Sequence, residues 1–200
     1  MIILLFLVNF LLIKMLATNP TSSLSIECLI NNLEYAFEYL HTSDDTDQLE
    51  QIYQRNIYTY PLEEIENFDF LKWNLVQIDG LPDTFFIISH SFNEEYLCAS
   101  YKFDDVFRTK RMIYRRMVNK KQQKNIDNCK WKLSKIESYS NNRTFRIRNL
   151  KYREYLFADE TNFKRDGFKR NIYLNGKHPS NETNQFDWLV DCSRGTFIIN

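Results

Sequence analysis

Four short signals recur in the same order three times along the 200-residue chain, and this repetition constrains the fold more than any other feature. Tryptophans stand at 73, 131 and 188, at spacings of 58 and 57 residues. Each lies in a strand-like run: Phe70–Leu75, Cys129–Leu133 and Phe186–Val190. Before each comes Arg-x-Ile-Tyr, as Arg55–Tyr58, Arg111–Tyr114 and Arg170–Tyr173. Earlier still is Glu-Tyr-Leu, at Glu38–Leu40, Glu95–Leu97 and Glu154–Leu156. After each Trp comes a Thr-Phe segment: Thr84–Ile88, Thr144–Arg148 and Thr196–Ile199. Every signal alternates β-branched or aromatic residues with polar ones, which is the strand pattern. Segments rich in Asn, Asp, Ser and Gly separate them, such as Asp79–Asp83, Tyr139–Asn142 and Ser193–Gly195. The count is four strands per repeat and twelve in all. A 16% aromatic content with only 4 Gly and 4 Pro argues for a packed core and against disorder or a collagen-like chain.

Three units of four strands with an aromatic anchor at equivalent places resemble a β-trefoil. That superfamily includes ricin-B-type lectins, fibroblast growth factors, interleukin-1 and Kunitz-type plant inhibitors. The resemblance implies an all-β, six-stranded barrel capped by three hairpins, with pseudo-threefold symmetry and repeats at about 26–90, 91–149 and 150–200. Tyr96-Leu97-Cys98-Ala99 and Tyr155-Leu156-Phe157-Ala158, followed by Arg-x-Ile-Tyr, are also similar to secreted trefoil-repeat proteins of mosquitoes and related insects. On this reading Ile57/Ile113/Ile172, Leu40/Leu97/Leu156 and the three tryptophans recur because a core needs them. Arg55, Arg111 and Arg170 are expected to make structural hydrogen bonds to loop carbonyls. The first repeat is the least regular: Glu34–His41 and Thr46–Tyr53 also fit short helices, although the triplicate signals favour a complete trefoil.

Residues 1–17 read as a signal peptide. Met1–Ile13 is an apolar run broken only by Asn9 and too short to span a bilayer, Lys14 ends it, and Ala17 offers a small residue for cleavage. A retained short anchor is the alternative. Cleavage leaves residues 18–200 as one domain, secreted and extracellular. Asn142-Arg143-Thr144 and Asn181-Glu182-Thr183 are then glycosylation sequons, with Asn142 and Asn181 as acceptors. Four cysteines (Cys28, Cys98, Cys129, Cys192) permit two disulfides in three pairings. No Cys-x-x-Cys occurs and no His flanks a Cys, so no metal site is expected. Cys129 aligns with Leu71 and Phe186, two positions before the Trp, and is expected to face the core as a buried thiol. Cys98 follows inward Leu97 and should point the other way, which makes a Cys98–Cys129 bridge unfavourable. Cys28 precedes the first strand and Cys192 lies just before the last. The closed barrel that the resemblance implies makes those strands neighbours, so Cys28 is expected to pair with Cys192.

Nothing in the chain matches Gly-x-Ser-x-Gly, a P-loop, Gly-x-Gly-x-x-Gly or His-Glu-x-x-His. The expectation is a binding protein, with no catalytic residues and no cofactor. Charge is the sharper clue. Formal net charge is zero, yet residues 18–95 hold 15 acidic and 2 basic residues, a net of −13, whereas residues 96–200 carry +12. The densest basic stretch holds Arg108, Lys110, Arg111, Arg115, Arg116, Lys120, Lys121 and Lys124 with no acid among them. A second cluster comprises Arg143, Arg146, Arg148, Lys151 and Arg153. Such a field attracts polyanions. For a secreted chain these are a sulfated glycan or an anionic cell surface, with a protein receptor as a further partner and nucleic acid a poorer one. Intramolecular neutralisation or head-to-tail association is the bland alternative. A lectin-like module is the second class, although Gln-x-Trp of the ricin-B type is missing from all three repeats. A trefoil-type protease inhibitor is the third, with loops 101–110 or 175–185 exposed.

Overall fold

The computed structural model describes residues 25–35, 37–46, 55–92, 95–104, 108–119, 126–141, 143–162, 169–176 and 184–193. The leader, both sequon asparagines, Lys120, Lys121, Lys124 and the Thr196–Ile199 segment lie outside them. The strands are β1 (Ser25–Asn32), β2 (Glu38–Thr46), β3 (Arg55–Pro61), β4 (Lys72–Gln77), β5 (Thr84–Ser89) and β6 (Glu95–Phe103). They continue as β7 (Arg111–Met117), β8 (Lys130–Lys135), β9 (Thr144–Asn149), β10 (Tyr155–Asn162), β11 (Arg170–Asn175) and β12 (Asp187–Cys192). Single 3-10 turns precede the tryptophan strands, at Phe68–Leu71, Asp127–Cys129 and Asn184–Phe186. No α-helix occurs among the described residues; Glu38–Thr46 is strand, paired with β3 from Glu38 opposite Pro61.

Pairing closes a ring. β1 pairs with β4 and β12, β4 with β5, β5 with β8, β8 with β9, and β9 with β12, so six strands form a barrel with no open edge. The other six form the hairpins β2–β3, β6–β7 and β10–β11, which join through β3–β7, β7–β11 and β11–β3 into a triangular cap. This is a β-trefoil. β1, β5 and β9 hold equivalent places in the barrel, so the Thr-Phe strands β5 and β9 each open a repeat, where the sequence reading set them at the end of the one before. Cys28 therefore lies within a strand rather than ahead of one.

The tryptophans show why this residue type recurs. All three are 0% exposed, and each indole N–H donates to the carbonyl of the Glu-Tyr-Leu leucine in its own repeat. The distances are 2.9 Å for Trp73 to Leu40, 2.8 Å for Trp131 to Leu97 and 3.1 Å for Trp188 to Leu156. One side chain thus fills the barrel and ties it to the cap, with a net gain of about 1 kcal/mol per hydrogen bond beyond the burial of the ring. The repeated Ile and Leu positions share the same core.

Two disulfides staple the fold, Cys28–Cys192 and Cys98–Cys129. The first bears out the expectation: the two residues are register partners across β1 and β12, with α-carbons 4.0 Å apart. The second overturns it, since Cys129 is no thiol and Cys98 is its partner. Strand alternation fails here because Cys129 ends a 3-10 turn rather than continuing β8, so its side chain does not follow the face of Trp131. It packs outside the barrel with Cys98, Phe86, Tyr96, Val118 and Ile126. The third repeat fills the equivalent site with Phe157 and Phe186, whose rings lie 5.1 Å apart. The disulfide replaces an aromatic contact between cap and turn.

Candidate functional site

Among the described residues, the cations of the basic stretch read from the sequence do not share one exposed face. Arg111 and Arg115 lie at inward positions of β7, in step with Ile113, and are 8% and 0% exposed. Arg111 donates through Nη2 to Glu154 Oε1 at 3.0 Å and through Nη1 to the Ser100 carbonyl at 3.1 Å. Arg115 Nη1 lies 3.1 Å from Glu95 Oε2. Lys110 is half-buried and pairs with Asp159 at 2.8 Å. Burying an unpaired charge costs several kcal/mol, so inward arginines are held by carboxylates rather than offered to a ligand. Arg108 is exposed and Arg116 half-exposed.

The internal arginines follow the threefold plan. Arg170 donates to Glu38 at 2.8 and 3.0 Å and to the carbonyls of Asp159 and Glu160, both at 2.9 Å. Its guanidinium lies 3.4 Å from the ring centre of Tyr35; that of Arg111 lies 3.8 Å from Tyr152, and that of Arg115 lies 4.4 Å from Phe92. The repeated Glu of Glu-Tyr-Leu thus has a partner in every repeat, and an aromatic ring covers the cation. For Arg111 and Arg170 the expected carbonyl bonds go to strand residues, Ser100 of β6 and Asp159 and Glu160 of β10, rather than to loops, and an ion pair that was not anticipated joins them. In the second repeat Arg115, four residues after the repeated Arg111, takes this role.

A different cationic surface lies on the outer face of β8 and β9. Trp131, Leu133 and Ile147 point inward, so Lys132 and Arg148 point outward, and the two are register partners. Arg148 Nε donates to the Arg153 carbonyl at 3.2 Å, and its guanidinium lies 5.5 Å from the Tyr155 ring. Lys151 and Arg153 are exposed on the β9–β10 turn. Arg153 adopts φ +59, as Phe37 does with +74 at the same place in the first repeat. The left-handed backbone belongs to the turn; the side chain is what differs. Nearby carboxylates are engaged: Asp127 with Lys130 at 2.6 Å, Asp187 with Arg146 at 3.1 Å, and Glu154 with Arg111. Arg143 of the second cluster pairs with Asp191 at 2.8 Å. Lys132, which completes this surface, belongs to neither cluster read from the sequence, because only strand register brings it beside Arg148.

A shallow groove of about 190 Å³ lies where β1, β4 and β12 meet, lined by Glu27, Leu29, Phe68, Lys72, Asp191 and the Cys28–Cys192 bridge. Phe68 is 52% exposed, an aromatic ring beside carboxylates. Beside it a hydrogen bond from Lys72 holds the Asp69 carboxyl below its usual range, and the same contact raises Lys72. Elsewhere, burial and the Asp187 charge push the Tyr139 hydroxyl up, its O–H lying 2.9 Å from Asn184 Oδ1. No group of side chains that could hold a metal ion occurs among the described residues.

No protein-family model and no curated protein sequence matches the chain. Solved structures do. A salivary protein of the Cysteine and Tryptophan-Rich family from a Culex mosquito is 19% identical over 87% of this chain and 98% of its own, with a TM-score of 0.56. The designed threefold-symmetric protein ThreeFoil is 10% identical over 84% of this chain and 97% of its own, at 0.56. A Polyporus squamosus lectin, solved with a sialylated glycan epitope, is 13% identical over 82% of this chain and 48% of its own, at 0.52. Identities this low carry the fold alone.

Proposed function

We propose that this β-trefoil is a secreted, non-catalytic binding protein whose ligand is an anionic glycan or an anionic cell surface. The observation behind this reading is the charge layout. Among the described residues, Arg170–Glu38 and Arg115–Glu95 join the two oppositely charged parts of the chain. The ion pairs of Lys72, His90, Lys110, Arg111, Lys130, Arg143 and Arg146 are each satisfied within one part, and these contacts leave the segregation of −13 from +12 in place. Two disulfides suit an oxidising compartment. A neutral-sugar, lectin-like role is the second reading, favoured by the groove in which exposed Phe68 lies beside Glu27 and Asp191. Heparin-column chromatography followed by a neutral glycan array separates the two. Retention past about 0.2 M salt supports the polyanion reading, because many charge contacts make binding steeply salt-dependent. Earlier elution together with array binding overturns it in favour of the lectin reading.

A further inference from the structure

We infer that the outer face of β8–β9, with its continuation into the β9–β10 turn, is a sulfate-ester site for a sulfated glycan, formed by Lys132, Arg148, Lys151 and Arg153. This names the site of the function proposed above and rests on that reading.

Like charges directly opposite on neighbouring strands destabilise a sheet. Lys132 and Arg148 are such a pair, at the strand spacing of about 4.8 Å. The carboxylates of Asp127, Asp187 and Glu154 are committed to Lys130, Arg146 and Arg111. Asp83, on the turn leading to Lys132's other strand neighbour Thr84, forms no ion pair with it. The face therefore keeps a local positive charge that the fold does not use. Arg148 is also pre-oriented. Its Nε is bound to the Arg153 carbonyl and its guanidinium lies 5.5 Å from the Tyr155 ring centre, which leaves the two Nη groups as donors for a planar or forked anion. Lys151 and Arg153 extend the positive surface along the turn. A chain bearing anionic groups at intervals can contact several of these cations in series. None of the exposed large apolar side chains, Phe37, Phe68, Leu81, Tyr101 and Met117, belongs to these strands or this turn. This face lacks the apolar wedge that an interfacial membrane site uses, which favours a sulfated chain over a bilayer.

The test uses the full mature chain, with sucrose octasulfate as a small probe and a heparin column as the polymer. Isotope-edited NMR should show Lys132 and Arg148 side-chain signals shifting with sucrose octasulfate. The Lys132→Thr/Arg148→Thr variant should weaken the probe's shifts at Lys151 and Arg153 and elute earlier from heparin. Its slope of log affinity against log salt should fall by about 2, one for each contact removed. Lys132→Thr alone should give half of this. Thermal unfolding should be unchanged or slightly raised, because a like-charge pair is removed from a solvent-facing position. Arg108→Ser/Arg116→Ser, which removes accessible cations of the basic stretch, should elute as the parent does. Probe binding at Lys132 and Arg148 without heparin retention sinks the function proposed above but keeps the site. Heparin retention that the threonine variant does not alter, or that only the Arg108/Arg116 variant weakens, overturns the site and leaves the function. Binding to phosphatidylserine vesicles without response to the sulfated probe overturns the choice of ligand.

Discussion

Disulfide loop length gives a quantitative expectation. Cys28 and Cys192 are 164 residues apart, whereas Cys98 and Cys129 are 31 apart. A cross-link that removes loop-closure entropy from the unfolded chain contributes about 5 kcal/mol for the long loop and about 3.7 kcal/mol for the short one at 25 °C. The long bridge should therefore exceed the short one by about 1.5 kcal/mol. Deleting sulfur atoms would confuse this comparison, because Cys98 and Cys129 are wholly buried while Cys192 is half-exposed. The clean design keeps both sulfurs. Cys98→Ala/Cys129→Ala leaves only the long bridge, and Cys28→Ala/Cys192→Ala leaves only the short one. Each is unfolded in urea with and without reductant, and the difference within each variant is the bridge alone. The emission of Trp73, Trp131 and Trp188 reports the transition, since all three are fully buried in the native state. Reduction should also raise the urea m-value more in the long-bridge variant, because a less constrained unfolded chain exposes more surface. Losses of this size rival the total stability of an ordinary domain, about 5–15 kcal/mol. Equal contributions, or a larger one from the short bridge, would refute the loop-entropy account and point to native-state packing around Cys98 and Cys129.

Three further outcomes follow from named contacts. Trp188→Phe removes the N–H donor to the buried Leu156 carbonyl and part of a filled volume, so it should cost about 2–4 kcal/mol in chemical denaturation. Arg170→Met strands Glu38 beside Thr59 and should cost about 3–5 kcal/mol, whereas Arg170→Met/Glu38→Leu should recover much of that; a double-mutant cycle measures the difference. Tyr139 has its ionisation pushed upward in the folded state. The unfolded chain then releases this proton first, so stability is intact below about pH 10 and falls as pH rises from there through the folded value. Melting temperature against pH should fall less steeply in Tyr139→Phe, and an unchanged slope would remove Tyr139 from the account.

The sequence alone determined the repeat, the four-strand unit and the core anchors. A threefold fold needs the same residue wherever one symmetric site demands it, so Trp73, Trp131 and Trp188 announce themselves by spacing. The Cys28–Cys192 pairing was legible only through the resemblance, because barrel closure makes the first and last strands neighbours. What the sequence did not reveal is which way polar and sulfur side chains point. Cys129 sits two residues before Trp131, but it ends a 3-10 turn, which breaks the two-residue alternation. Arg111 and Arg115 look like part of a surface patch because charge is counted along the chain. Their partners Glu154 and Glu95 lie 43 and 20 residues away and meet them only across the cap. Lys132 and Arg148 are 16 residues apart and become neighbours through β8–β9 register. Local pattern fixes which segments form strands, since that depends on neighbouring side chains. Whether a charge is spent inside or left for a ligand depends on which distant carboxylate the folded chain brings within about 4 Å of it, and only the tertiary structure decides that.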